Sequence, residues 1–119
     1  MEGNVSPGCF LRQWIEYLRE HGHAVSEQVG AEGIVRSRTD RGRGFRWVLR
    51  CSWEDSILLT VPDRKALIRE ARLAMRTKED CYLVAAFGRP VEKVVVLPAS
   101  KAVRMKRITA QRGGIPWER

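Results

Sequence analysis

The sequence has no long apolar run. Its longest, Cys81 to Phe87, is seven residues, far short of the ~18 that a bilayer-crossing helix needs. The N-terminal stretch also lacks the basic-then-apolar pattern of an export signal, so a cytoplasmic address without a membrane partner is expected. Cysteine is scarce. Cys9, Cys51 and Cys81 are an odd, widely spaced set without a Cys-x-x-Cys pair, which speaks against both a disulfide framework and a zinc site and for buried, reduced thiols. Histidine is scarcer. His21 and His23 flank Gly22 with no third ligand in the sequence nearby, so a helix-end or loop role is expected rather than a metal centre. Ser52, Ser56 and Ser100 have no nucleophile-elbow setting. Internal repeats and low-complexity segments are missing.

Acid is the other shortage. Against 22 Lys and Arg stand 14 Asp and Glu, a net charge of +8. Such a surplus raises affinity for polyanions through counterion release. Its distribution is uneven. Six arginines (Arg36, Arg38, Arg41, Arg43, Arg46 and Arg50) accompany one acid, Asp40, and five cations (Lys101, Arg104, Lys106, Arg107 and Arg112) accompany none. These eleven are the candidate nucleic-acid contacts, with a solubilising charge face as the competing interpretation. Arg41-Gly42-Arg43-Gly44 suits either a hairpin tip that grips phosphate or a flexible turn.

At 119 residues, 44% hydrophobic and 30% charged, the chain is expected to fold as one domain over 1–119, with a loop-like tail over 108–119. Met1 to Val5 is a loose terminus. Ser6 and Pro7 open a first helix to about His21, with Leu11, Trp14, Ile15 and Leu18 on one face. Three strands follow, His23 to Val29, Gly33 to Arg38 and Gly44 to Trp53, separated by turns at Gly30 and at Asp40-Arg41-Gly42. In the third, Phe45, Trp47, Leu49 and Cys51 take the core face, and Arg46, Val48, Arg50 and Ser52 the other. After a less regular stretch at Ile57 to Val61, Pro62 opens a second helix. Leu67, Ile68, Ala71, Ala74 and Met75 form its apolar face, and Arg64, Lys65, Arg69, Arg72 and Arg76 its outer one. The run Cys81 to Phe87 belongs mid-sheet, covered on both sides. Val91 to Leu97 is a last strand, and a short basic helix to about Ile108 precedes the tail. Trp14, Trp47 and Trp53 are expected in the core, whereas Trp117 either covers it or meets a partner.

The order of helix, three-stranded meander, helix and two strands resembles the restriction-endonuclease-like, or PD-(D/E)xK, superfamily, which includes small Holliday-junction resolvase-like domains. The likeness rests on Gly33-Ile34-Val35, Trp47 to Cys51, Ala66 to Phe87 and Val94-Val95-Val96-Leu97-Pro98-Ala99, over roughly residues 8 to 100. It implies an α/β domain with a central mixed sheet of order αβββαββ flanked by helices. It also implies, in active members, an Asp at the second strand and a Glu-x-Lys on the third, holding Mg²⁺ and activating water. Here Val35 stands where the Asp is due. Glu-x-Lys falls on Val48-Leu49-Arg50 or Leu49-Arg50-Cys51, and arginine cannot act as a base. The main expectation is therefore a catalytically degraded nuclease-fold domain that binds nucleic acid or another partner, without cofactor or metal. One alternative is a divergent Mg²⁺-dependent nuclease using Glu32 with Glu54 or Asp55, helped by Glu16 or Glu20. Another is a protein-interaction domain or homodimer using the sheet edge or the Trp117 tail.

Overall fold

A computed structural model describes residues 4–5, 8–29, 32–110 and 114–117. The main sheet runs in the order β2(His23–Val29), β3(Ile34–Thr39), β4(Gly44–Ser52), β6(Asp80–Phe87), β7(Lys93–Pro98) and β9(Ile115–Pro116). The meander β2–β3–β4 is antiparallel, β4 and β6 are parallel, and β6–β7 and β7–β9 are antiparallel, so the sheet is mixed. A short β1(Asn4–Val5) pairs with Ser52 and Cys51 of β4, where β3 no longer reaches. The terminus expected to be loose is thus tied to the sheet in part. Ser6, Pro7 and Gly30, invoked above as cap and turn, lie outside the described residues.

Helix α1(Gly8–Glu20) covers one face of the sheet. Phe10, Trp14, Ile15 and Leu18 return to the same side every three or four residues and pack on Val35, Trp47, Leu49, Cys51, Val84 and Ala86. The chain leaves the helix through Gly22, whose φ of 85° suits a residue without Cβ. The other face is covered by α2(Val61–Thr77), by α3(Ala99–Ala102) and by the small antiparallel pair β5(Ser56–Leu58) and β8(Arg107–Thr109). Helix α2 is well specified at both ends. The Thr60 hydroxyl accepts from the Asp63 N–H while the Asp63 carboxylate accepts from the Thr60 N–H, with Pro62 in the first turn, and Lys78 closes it in the left-handed region.

Strand β6 lies inside this sandwich as its apolar run requires. Val84 and Ala86 join the α1 side, while Leu83, Ala85 and Phe87 join the α2 side, and all five are at most 2% exposed. Four expectations need correction. Ile68 and Met75, expected on the apolar face of α2, are 40% and 81% exposed, whereas Leu67 and Ala74 of the same helix are buried. The basic segment after β7 is helical only to Ala102, because Ile108 is drawn into β8 opposite Ile57 and is fully buried. The tail is not wholly a loop, since β8 takes Ile108 and Thr109 and β9 pairs Ile115 with Val94. Among the tryptophans only Trp53 departs from expectation, while Trp117 takes the core-covering alternative. Trp117 is buried against Phe10, Trp14 and Tyr17 at ring distances of 5.2, 6.1 and 5.1 Å, and its indole N–H donates to Gln13 at 2.8 Å. Trp53 lies just past the end of β4, half-exposed, with the Arg89 guanidinium 4.3 Å over its ring.

Candidate nucleic-acid interface

Strand alternation turns Arg46, Val48 and Arg50 away from α1, yet that face is not open. It lies beneath α2, which meets each arginine with acid. Arg46 is 6% exposed. It donates to Glu70 from its Nη1 and to Glu79 from its Nε, both at 2.9 Å. Glu79 also accepts from Arg36 at 3.1 Å, and Arg36 reaches Glu27 at 3.6 Å. On the other side Glu70 accepts from Arg69 at 3.2 Å, and Arg69 reaches Glu32 at 3.1 Å. A chain of alternating charge therefore crosses from β2 to the turn before β3, with α2 fastened in the middle.

Arg50 makes a second fastening. Its Nε donates to Asp63 at 2.7 Å, and its Nη1 donates to the carbonyls of Glu32 at 3.0 Å and Leu49 at 2.6 Å. Burial alone would raise the Asp63 carboxyl. The hydrogen bonds from Arg50 and from Thr60 outweigh it and hold the group below the usual carboxylate range. Glu79 is likewise held low, because hydrogen bonds from Thr77, Arg36 and Arg46 outweigh its burial. Burial, reinforced by the Glu70 charge, pushes the Cys81 thiol up to about 12, so this is an inert thiol rather than a nucleophile.

The positions that the nuclease resemblance reserves for acids are apolar and sealed. Val35 and Val48 are 0% exposed, the first in the α1-side core and the second in the α2-side core. The substitute carboxylates do not converge. Glu32 is engaged with Arg69, whereas Glu54 and Asp55 follow β4 and line a cavity of about 490 Å³ with Trp53, Phe87, Glu92 and Lys93. Glu16 lines a separate groove on α1 with Arg12, Arg19 and Gln28. Among the described residues no group of three or more His, Cys, Asp or Glu is placed to hold a metal ion. Val35 and Val48 thus offer no oxygen ligand at the two positions that the resemblance reserves for acids. His21 and His23 are separately used, their Nδ1 atoms lying 2.8 Å from the Tyr17 carbonyl and 2.9 Å from the Ser37 hydroxyl.

The remaining cations divide by position. The β3–β4 turn is closed by hydrogen bonds from the Thr39 N–H to the Arg43 carbonyl and from the Gly42 N–H to the Thr39 carbonyl, both 2.9 Å. It presents Arg38, Arg41 and Arg43 to solvent. Arg43 pairs with Asp80 at 2.8 Å, and Arg38 donates to the Gly42 carbonyl. Among the described residues neither Arg38 nor Arg41 has a carboxylate partner. Phe45 sits opposite Asp80, and Tyr82 opposite Pro98, so this turn, the end of α2 and the start of α3 share one end of the sheet. Arg76, Lys78 and Lys101, all exposed, occupy that end. Arg104, Lys106 and Arg107 are exposed farther along, where Arg107 donates to Ser56 at 2.9 Å. Arg112 lies outside the described residues. Arg76 and Lys78 were not among the sequence candidates; the signal available was the run of cations on the outer face of α2.

No known sequence family matches this chain, and no curated protein matches it by sequence. Among solved structures it is similar to the Holliday junction resolvase Hjc of Archaeoglobus fulgidus, an archaeal hyperthermophile. The TM-score is 0.66 at 16% identity, over 94% of this chain and 92% of that one. The fold is thus restriction-endonuclease-like, a central mixed sheet with flanking helices.

Proposed function

We propose that this chain is a nuclease-fold domain that binds nucleic acid without cleaving it. The observation that carries this reading is a coincidence of two features. The acid positions are filled by fully buried valines, and exposed cations without a carboxylate partner among the described residues gather at one end of the sheet. The contact surface is Arg38 and Arg41 on the β3–β4 turn, Arg76 and Lys78 at the end of α2, and Lys101 on α3, with Arg43 joining when Asp80 releases it. Arg104, Lys106 and Arg107 extend it. Arg36, Arg46 and Arg50 are left out of the surface, because each already answers an acid of its own fold. The resolvase neighbour acts on a branched DNA, and only a general affinity for nucleic acid is carried over from it.

Cleavage needs charge neutralisation at the dividing phosphate and a base for water. Neither Val35 nor Val48 supplies a carboxylate, and the Arg50 guanidinium is occupied by Asp63 and two carbonyls. The test is fluorescence anisotropy with a labelled four-way junction, a linear duplex and a single strand across a salt series. Five phosphate contacts on duplex DNA correspond to a log-log salt slope of about −4.5. Arg38→Glu with Arg41→Glu should lower that slope by about two contacts. Absence of binding to all three at low salt refutes the reading. Mg²⁺-dependent cleavage by the wild type that disappears in Glu32→Ala would replace it with the divergent-nuclease reading.

A further inference from the structure

The outer face of α2 carries a feature that phosphate binding does not use. Val61, Ile68 and Met75 are 56%, 40% and 81% exposed. They follow one another at seven-residue intervals, which on an α-helix is two turns and almost the same direction. Large apolar side chains scattered singly on a surface are ordinary, but an aligned series along one helix is not. Cations flank the line. Lys65, Arg69, Arg72 and Arg76, with Ile68 and Leu73, bound a shallow groove of about 600 Å³. The acidic residue of this stretch, Glu70, points the opposite way and is 4% exposed, bound to Arg46.

We infer that this face is a docking site for an acidic amphipathic helix of another protein. A seven-residue apolar line is the pattern by which one helix seats another, and the residues flanking such a line select the partner by charge. Here the flanks are cationic, and Lys65, Arg72 and Arg76 have no carboxylate partner among the described residues. A second copy of this chain would set these cations against themselves, which like-charge contact disfavours. A phosphate backbone would leave Val61, Ile68 and Met75 against a polar, hydrated ribbon and gain nothing from them. A helix with leucine or isoleucine along one line and glutamate beside it satisfies both halves of the surface.

The probe is a synthetic three-heptad peptide with leucine at the seam and glutamate at its flanks; a twin carries lysine for glutamate. Binding is followed by the Met75 methyl signal in NMR and by anisotropy of a labelled peptide. The acidic peptide is expected to shift the Met75 methyl and to bind at least tenfold more tightly than its twin. Ile68→Asp with Met75→Asp, and separately Lys65→Glu with Arg72→Glu, should each weaken it at least tenfold. Arg38→Glu with Arg41→Glu should leave it unchanged, which separates this inference from the nucleic-acid surface. The inference is overturned if the two peptides bind alike or if the Asp variants bind as the wild type does. A wild-type dimer that the Asp variants convert to monomer would instead assign the face to a second copy. Displacement of the peptide by a DNA duplex, with duplex affinity lost in Ile68→Asp/Met75→Asp, would assign it to nucleic acid.

Discussion

Replacing Arg46 with methionine tests the claim that α2 is fastened to the sheet by buried charge. The side chains of Arg46, Glu70 and Glu79 are 8%, 6% and 2% exposed, so the variant leaves two carboxylates without the cation between them and little water to replace it. Removing one member of a buried pair costs about 3–5 kcal/mol. Glu70 keeps Arg69 and Glu79 keeps Arg36, which places the cost at the lower end, about 3 kcal/mol. A domain of 119 residues has about 6–18 kcal/mol in total, so the variant should fold and yet be clearly weakened. With a urea slope of ~2 kcal/mol/M, the midpoint followed by tryptophan fluorescence should fall by about 1.5 M. The deficit should shrink as pH falls, because losing the Arg46 hydrogen bond removes part of what holds the Glu79 carboxyl low in the wild type. Arg46→Met combined with Glu70→Leu should recover part of the loss. A midpoint within ~0.3 M of wild type at pH 7 would refute the fastening, since an exposed pair costs only that much.

Other outcomes follow from the same structure. Val84→Asp should abolish cooperative folding, because it sets an unpaired charge at a fully buried position of β6, and a soluble variant with a sharp urea transition would contradict this. Trp117→Ala should cost about 3–5 kcal/mol by emptying the space between Phe10, Trp14 and Tyr17; an unchanged midpoint would show that the tail does not seat there. Asp63 and Glu79 are held below the unfolded carboxylate range, so their stabilisation is complete above about pH 5 and is lost as pH falls through their lower folded values. Asp63→Asn should therefore flatten the acid limb of a plot of urea midpoint against pH, and an unchanged limb would count against the Arg50–Asp63 pair.

What could be read from the sequence depended on the reach of each interaction. The apolar run of β6 and the Asp40-Arg41-Gly42 turn are local signals, and both elements stand where the pattern put them. The arginines of β4 were visible as charge, but their partners were not. Glu70 and Glu79 lie 24 and 33 residues from Arg46, and nothing in the intervening pattern marks them as its counterions. The same applies to the aromatics. Strand alternation would carry Trp53 inward if β4 continued, but the strand ends at Ser52 and Trp53 turns out toward Arg89. Trp117, in a glycine-rich stretch, gave no periodic cue to its seat on α1. The substitute carboxylates illustrate the limit for the site as well. Glu32, Glu54 and Asp55 are plausible by type, and only the path of β4 separates them.

The seat of Trp117 bears on the order of events during synthesis. Its hydrogen bond to Gln13 spans 104 residues, whereas the β2–β3–β4 meander closes through neighbours in the chain. Contacts of such separation form late. As the polypeptide emerges from the ribosome, the aromatic side of α1 stays without its cover until Trp117 has been translated. A product stalled before Trp117 would consequently display Phe10, Trp14 and Tyr17 as a sticky face to chaperones and to other nascent chains.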